Sequence, residues 1–200
     1  MAMKGNSQHG RRKFLKKAAT TTAVTGGILG TAQPAAACCT QTVDINCRAG
    51  IGYYTIEVSD PNVTAKNSEN DDSISRYDDF ARMEGTLDAS SDPTDTYEYS
   101  GHITYVEFDG YLDLVVSGDI YAWNGTRELS VYGQDADYTV QIANGSISPK
   151  EDIEPEDSTD SDSCSGTAYD GDEDIYTTDN ATIEYVWAEC EEPLYISHPL

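Results

Sequence analysis

The fold is decided by the central stretch His102-Ile-Thr-Tyr-Val-Glu-Phe108, which is followed by Asp109-Gly110 and then by Leu112-Asp-Leu-Val-Val116. Apolar and polar side chains alternate in the first run, and alternation with a period of two is the signature of a β-strand with one buried face. Asp-Gly is a favoured pair in tight hairpin turns. The stretch therefore predicts two antiparallel strands joined at Asp109-Gly110.

Similar runs occur on both sides of this stretch, and helical periodicity is nearly absent. They cover residues 54–58, 96–99, 128–132, 138–142, 175–176, 182–187 and 194–196. Turn residues separate them, as in Ser117-Gly118-Asp119, Asn124-Gly125 and Asn144-Gly145. Many short strands with turn signals between them are typical of a β-sandwich or barrel. We predict an all-β fold, an antiparallel β-sandwich with two sheets in one compact body.

The two halves of this body are related in sequence. Five short matches keep their order at an offset of 79 to 84 residues. They pair Tyr54-Thr-Ile-Glu-Val with Tyr138-Thr-Val-Gln-Ile, Gly85-Thr with Gly166-Thr, Asp95-Thr-Tyr with Asp174-Ile-Tyr, Ile103-Thr-Tyr-Val with Ile183-Glu-Tyr-Val, and Leu112-Asp-Leu with Leu194-Tyr-Ile. The repeat predicts two β-units, residues 51–133 and 134–200.

The order of these features resembles a short module of exported proteins from halophilic archaea. Its pattern is a Tyr-x-x-x-Val strand, an acidic loop, a Gly, Asp-x-Tyr-x-x-Ser-Gly-x-Ile and a closing strand. The segment Asp95-Thr-Tyr-Glu-Tyr-Ser-Gly-His-Ile103 fits this pattern best, whereas the second copy has Thr178-Asp179 in place of Ser-Gly. The resemblance covers residues 51–197. It implies an exported β-module and carries over no catalytic residue.

Residues 1–37 are typical of a signal peptide. Arg11-Arg12-Lys13-Phe14-Leu15-Lys16 resembles the twin-arginine export pattern, and a mildly apolar stretch, residues 18–32, follows it. This stretch is less apolar than a membrane-spanning helix of ~20 residues requires. Ala35-Ala36-Ala37 is a small-residue cleavage site. Because Cys38 comes next, the same residues also resemble a degenerate lipobox, so both a lipid on Cys38 and a free N-terminus stay open.

The charge distribution sharpens the export prediction. The chain has 36 acidic and 12 basic residues, and six of the basic residues lie in the signal peptide. The remainder, residues 38–200, therefore carries a net charge of −30. Such a charge repels itself at low salt and is screened in molar salt. The composition resembles that of secreted haloarchaeal proteins, and its lack of a basic patch argues against nucleic acid as a partner.

Five cysteines allow disulfides in an exported chain. Cys38 is the possible lipid carrier, and residues 38–50 form a cysteine-bearing lead-in to the predicted strands. If Cys38 is lipidated, four cysteines remain, and proximity in sequence favours Cys39–Cys47 and Cys164–Cys190 among three possible connectivities. A zinc site is the competing interpretation, but the spacings contain no Cys-x-x-Cys pair.

Residues with the potential for metal or catalytic chemistry are few. Asp170, Asp172 and Asp174 alternate as carboxylates do in calcium loops, although the positions that an EF-type loop gives to Gly and Glu hold other residues. His102 and His198 have no Gly-x-Ser-x-Gly motif to support a catalytic triad. We therefore expect no enzymatic activity and no cofactor, with calcium as the weak exception.

Two features suggest contacts at a cell surface. Tyrosines in alternating positions, Tyr97/Tyr99 and Tyr111/Tyr121, could stack on sugars, or they could simply pack across strands. Four sequons, at Asn62, Asn124, Asn144 and Asn180, permit N-glycosylation.

These observations favour a non-catalytic secreted or cell-surface protein of a halophile. We expect it to bind a surface glycan or a cell-envelope protein, with the membrane contacted only through a lipid anchor. The alternatives are a secreted hydrolase, an antimicrobial precursor, or a calcium- or glycan-binding module. Mass spectrometry of the mature N-terminus distinguishes a tethered protein from a released one.

We predict that the mature protein unfolds when salt is diluted to ~0.1 M, because its surface carboxylates are then no longer screened. The near-ultraviolet circular dichroism spectrum reports the loss of tertiary structure. A spectrum unchanged by dilution would contradict the halophile interpretation.

Overall fold

A computed structural model describes residues 40–69, 72–118, 125–151, 157–169 and 173–198. These residues form thirteen β-strands, and no helix among them could span a membrane. The strands are β1 Gln41–Val58, β2 Val63–Asn67, β3 Ser73–Arg76, β4 Ala81–Asp88, β5 Thr94–Tyr99, β6 Ile103–Gly118, β7 Thr126–Tyr132, β8 Ala136–Ala143, β9 Ser146–Glu151, β10 Ser158–Thr159, β11 Ser163–Ala168, β12 Glu173–Asp179 and β13 Thr182–Ser197. The predicted signal peptide, residues 1–37, lies outside the described residues.

Three long strands form the centre of the fold. β6 pairs with β1 on one side and with β13 on the other, antiparallel in both cases and along most of its length. The side neighbours of β1 and β13 change halfway along each strand. The first part of β1 pairs with β5 and its second part with β4. The first part of β13 pairs with β8 and its end with β7.

This change of neighbours divides the strands into two sheets that share β1, β6 and β13. We call the order β2-β5-β1-β6-β13-β8-β11-β10 sheet one. The order β3-β4-β1-β6-β13-β7-β12-β9 is sheet two. Side chains alternate between buried and partly exposed along most strands, as in the pattern of β8, which faces the core with Tyr138, Val140 and Ile142. The predicted all-β antiparallel sandwich is confirmed.

The hairpin predicted at Asp109-Gly110 is wrong. Residues 103–118 form one continuous strand, and Gly110 has φ +112 at the point where β6 passes from one sheet to the other. A Cβ at this position would lie 3.0 Å from the Ile51 carbonyl oxygen and 3.1 Å from the Gly52 Cα. Glycine therefore allows a bend within the strand and a close approach of β1, rather than a reversal of the chain.

Other boundaries differ for related reasons. Residues 41–50, which the sequence assigned to a lead-in, are the first half of β1 and bury Val43, Ile45 and Cys47. The predicted strands at 182–187 and 194–196 are parts of the single strand β13. Asn144-Gly145 does connect two strands, with Asn144 at φ +58, but β8 and β9 belong to different sheets and do not pair.

The pairing in the two halves follows the same order. In the first half, β4–β3 and β5–β2 flank the two parts of β1. In the second half, β11–β10 flank β8 and β12–β9 flank β7. The long strand β1 thus corresponds to two strands, β7 and β8. This order agrees with the sequence repeat, while the duplication itself stays a prediction.

We expect Gly110→Ala to lower the free energy of unfolding by about 1 kcal/mol or more, because alanine is strained at positive φ and its Cβ meets the backbone of β1. Chemical denaturation in molar salt measures the change. Asp109→Ala, at the neighbouring position, is the control and should change the stability by less than about 0.5 kcal/mol. Equal stability of Gly110→Ala and the wild type would contradict this role for Gly110.

Candidate functional site

A hydrogen-bonded group of tyrosines and aspartates lies inside the first half of the chain. The Tyr54 hydroxyl donates to Asp95 Oδ2 at 2.7 Å, and the Tyr97 hydroxyl is 2.7 Å from the Tyr54 hydroxyl. Because Tyr54 gives its single proton to Asp95, Tyr97 donates to Tyr54. All three residues are buried. We call Tyr54, Asp95 and Tyr97, together with the nearby Asp72, the first cluster.

The second half contains the same arrangement. The Tyr138 hydroxyl donates to Asp174 Oδ2 at 2.8 Å and lies 2.7 Å from the Tyr176 hydroxyl. We call these three residues, together with the nearby Asp157, the second cluster. A glycine adjoins each cluster: a Cβ at Gly85 would lie 2.3 Å from the Tyr54 hydroxyl oxygen, and one at Gly166 would lie 3.1 Å from that of Tyr138. The repeated Gly and Asp-x-Tyr of the sequence therefore mark buried polar clusters.

Burial dominates the electrostatics of both clusters. It raises the pKa of Asp95 to about 7, and the nearby Asp72 carboxylate adds to the shift. The hydroxyls of Tyr54 and Tyr138 have strongly raised pKa values, first because of burial and then because of their hydrogen bonds. The pKa of the Cys164 thiol rises to about 12 through burial and the Asp174 charge. These groups are protected from solvent and are poor nucleophiles.

His102 and His198 both lie in the interior. His102 Nδ1 is 3.3 Å from the Thr182 hydroxyl, and His198 Nε2 is 2.8 Å from that of Thr178. Burial is the main cause, and the charge of Arg127 the second, of a pKa lowered to about 4 for each imidazole. Both rings are therefore neutral near pH 7. Each imidazole thus contacts a threonine hydroxyl inside the sandwich.

The outer face of sheet one carries a partly exposed aromatic patch. Tyr111 and Trp187 contact each other edge to face, with ring centroids 5.9 Å apart and planes at 83°. Tyr185 lies two residues from Trp187 on the same face of β13. All three side chains are partly exposed. We call Tyr111, Tyr185 and Trp187 the aromatic patch.

A polar group adjoins the aromatic patch. Asp113 stands opposite Trp187 on one side and opposite Asn46 on the other. Its carboxylate accepts from Asn46 Nδ2 at 2.7 Å and forms an ion pair with Arg48. The Arg48 side chain is 53% exposed, whereas that of Asp113 is 2% exposed. Arg48 thus presents free guanidinium surface to solvent while its charge is held in place by a buried carboxylate.

The outer face of sheet two is aromatic as well, but it is organised differently. Tyr132 and Tyr195 stand opposite each other with ring centroids 6.2 Å apart. The Tyr105 hydroxyl donates to Glu107 at 3.0 Å, and Arg82 pairs with Glu57. This face contains tyrosines and no tryptophan among its described residues, so it serves as a comparison for the aromatic patch.

Of the tyrosines predicted to stack on sugars, some are buried in the core and one is partly exposed at the surface. Tyr97 and Tyr99 are 0% and 2% exposed, so the interpretation of this pair as a surface is wrong. Tyr111 is partly exposed, and Tyr121 lies outside the described residues. The sequence did not single out Trp187 and Tyr185. Their two-residue spacing in the run 182–187 is the signal that places them on one face.

Of the three predicted calcium ligands, the structure describes only Asp174. Asp170 and Asp172 lie outside the described residues. Asp174 is 2% exposed and accepts a hydrogen bond from Tyr138, so its side chain faces the core. The described part of the chain contains no group of three or more His, Cys, Asp or Glu side chains suited to a metal ion.

The predicted disulfide Cys164–Cys190 is wrong. Both are free, buried thiols. Cys164 stands opposite Val140 and Cys190 opposite Ala136, on either side of β8 and four residues apart along it. This separation is well beyond the ~7 Å Cα distance that a disulfide tolerates. Cys47 is also a free, buried thiol, while its predicted partner Cys39 and the lipid candidate Cys38 lie outside the described residues.

Three of the four sequon asparagines are exposed. Asn62 follows β1, whereas Asn144 and Asn180 occupy turns with φ +58 and +55. Asn180 is already engaged, since its Oδ1 accepts from the Gly125 backbone N–H at 2.9 Å. Asn124 and the export residues Arg11, Arg12, Phe14, Leu15 and Lys16 lie outside the described residues. Glycosylation and export therefore stay predictions.

Comparison with known proteins gives no relative from which a site could be transferred. No protein-family model, no curated protein and no solved structure matches the chain.

We predict that Tyr54→Phe lowers the free energy of unfolding by about 1–3 kcal/mol, because it deprives the buried Asp95 of its donor and Tyr97 of its acceptor. Denaturation in molar salt measures the loss. Tyr99→Phe is the matched control on β5, since burial alone raises the pKa of that hydroxyl, and it should change stability by less than about 0.5 kcal/mol. Equal effects of the two variants would contradict a specific role for the first cluster.

Proposed function

We propose that this chain is an exported, non-catalytic surface protein of a halophile that binds carbohydrate through the aromatic patch on sheet one. The observation that carries the proposal is the position of partly exposed Trp187 and Tyr111 beside Arg48 on the outer face of sheet one. Aromatic rings offer apolar platforms with polar edges, and such platforms suit the C–H faces of sugar rings. Arg48 adds donors for hydroxyl or carboxylate groups of the sugar.

The position of the titratable groups supports a binding role rather than catalysis. The histidines are buried and neutral near pH 7, and the Asp95 carboxyl is enclosed by tyrosines. A general acid or base must reach its substrate within hydrogen-bond distance. Groups sealed in the core of the sandwich do not meet that requirement.

The acidic surface and the export pattern support the setting. A net charge of −30 on residues 38–200 suits a protein that meets molar salt outside the cell. Cleavage before Cys38 releases the protein if the cysteine stays free and tethers it if the cysteine carries lipid. The proposed binding of envelope glycans is compatible with either outcome.

The proposal predicts that the mature protein binds at least one glycan on an array in molar salt, and that Trp187→Ala weakens this binding about tenfold or more. Calorimetry with the array hit measures the change. Tyr195→Ala, on the outer face of sheet two, is the matched control and should bind as the wild type does.

Two results would contradict the proposal. One is the absence of any bound glycan across a broad array. The other is equal loss of binding in Trp187→Ala and Tyr195→Ala, which would indicate a general loss of structure.

A further inference from the structure

The Asp95 carboxyl group has one oxygen without a donor. Asp95 is 0% exposed, and its Oδ2 accepts from Tyr54, but its Oδ1 has no hydrogen-bond partner. Leaving a buried carboxylate oxygen unsatisfied is costly.

A second orphaned carboxylate oxygen lies beside it. Asp72 Oδ1 is buried and also without a partner, whereas Asp72 Oδ2 accepts from the Glu69 backbone N–H at 2.7 Å. The Asp72 side chain lies close enough to Asp95 to raise the pKa of that carboxyl. A Cβ at Gly85 would lie 2.5 Å from Asp72 Oδ1 and 2.3 Å from the Tyr54 hydroxyl oxygen. Asp72 and Tyr54 therefore approach each other in the space beside Gly85.

Two ionised carboxylates cannot satisfy each other, because neither has a proton to donate. We propose that Asp95 is a proton-binding site that is protonated in the folded protein at mildly acidic pH and donates its proton to Asp72. A continuous chain then runs from Tyr97 to Tyr54 to Asp95 to Asp72, and the Glu69 N–H donates to its far end. Every oxygen that the geometry leaves orphaned in the first cluster gains a partner.

The shared proton joins the two sheets of the sandwich. Asp95 belongs to β5 in sheet one, whereas Asp72 directly precedes β3 in sheet two. The groups that act on Asp95 most strongly are Tyr54, Asp72 and Asp92, and Tyr97 completes the cluster through Tyr54. Burial favours the protonated form of Asp95 most strongly, and the carboxylates of Asp72 and Asp92 favour it further. The hydrogen bond between Asp95 and Asp72 therefore connects the two sheets and breaks when Asp95 loses its proton.

The sign of the pH dependence follows from linkage. Asp95 is protonated in the folded state up to a pKa of about 7, whereas an unfolded aspartate releases its proton near pH ~4. The stability from this proton is fully present below pH ~4 and is lost as the pH rises through about 7. His102 and His198 act in the opposite sense, since their lowered pKa values favour the folded state as the pH rises from about 4 to 6.5.

The histidine contributions cancel when wild type is compared with Asp95→Asn, which cannot ionise. Between pH ~4 and ~7, we expect the ratio of the unfolding constant of the wild type to that of Asp95→Asn to rise by up to tenfold per pH unit. The ratio should become constant above that window. Asp113→Asn, at a buried aspartate that pairs with Arg48, is the control. The ratio of the unfolding constant of the wild type to that of Asp113→Asn should show no such rise, because both proteins keep Asp95.

Infrared spectroscopy of the wild type tests the proton directly and does not depend on a variant that folds. At pH ~6, where ordinary carboxyls are ionised, the folded mature protein in molar salt should keep the carbonyl band of a protonated carboxyl. The band should lose one carboxyl equivalent in Asp95→Asn. It should also weaken in Asp72→Asn, whose amide donates to an ionised Asp95, and stay unchanged in Asp113→Asn.

Two outcomes would overturn the proposal. The first is a spectrum at pH ~6 without a protonated carboxyl, or with a band that Asp95→Asn leaves intact. The second is a loss of wild-type stability on adding a chelator at pH ~6 that Asp95→Asn does not share, since a bound cation rather than a proton would then join the two carboxylates.

Discussion

The structure depends on the backbone pairing of β6 with β1 and β13. Each of these strands is long enough to contribute one part to each sheet. With them included, each sheet contains eight strands. A strand that serves two sheets has to bend without losing its hydrogen bonds. Gly110 provides the bend in β6, and shifts in register between Cys47 and Tyr53 and between Cys190 and Leu194 provide it in the neighbours. The two faces of the sandwich are consequently fixed relative to one another by continuous backbone.

The core of the sandwich contains the polar hydroxyl groups of several buried tyrosines. Tyrosine supplies much of the interior volume, because Tyr97, Tyr99, Tyr138 and Tyr176 are among the largest fully buried side chains. A buried hydroxyl requires an acceptor. In both halves the acceptor is an aspartate of the Asp-x-Tyr segment, and a glycine on the adjacent strand leaves room for the hydroxyl. The clusters therefore follow from building a core with tyrosine in place of larger aliphatic side chains.

The sequence predicted the features that depend on local residue patterns. It missed those that depend on contacts between strands distant in sequence. Alternation located the all-β fold and most of the strands in 94–118 and 126–143. It failed at Asp109-Gly110, because the same dipeptide serves a hairpin or a bent strand, and only the close approach of β1 decides between them. Pairing Cys164 with Cys190 by proximity in sequence failed because β8 runs between them. The match between Asp95-Thr-Tyr97 and Asp174-Ile-Tyr176 was visible, but its meaning required the positions of Tyr54 and Tyr138 on other strands.

Salt and pH act on different carboxylates of this protein. Dissolved ions screen exposed charges and reach buried ones poorly. Among the described residues, the buried acids are Asp95, Asp113 and Asp174. Asp113 is matched by Arg48 and Asn46, whereas Asp95 and Asp174 receive tyrosine hydroxyls. We therefore expect the acidic surface to make the fold require salt, and the buried Asp95 carboxyl to make it respond to protons. An acidic surface alone would produce only the first dependence, so we assign the second to the first cluster.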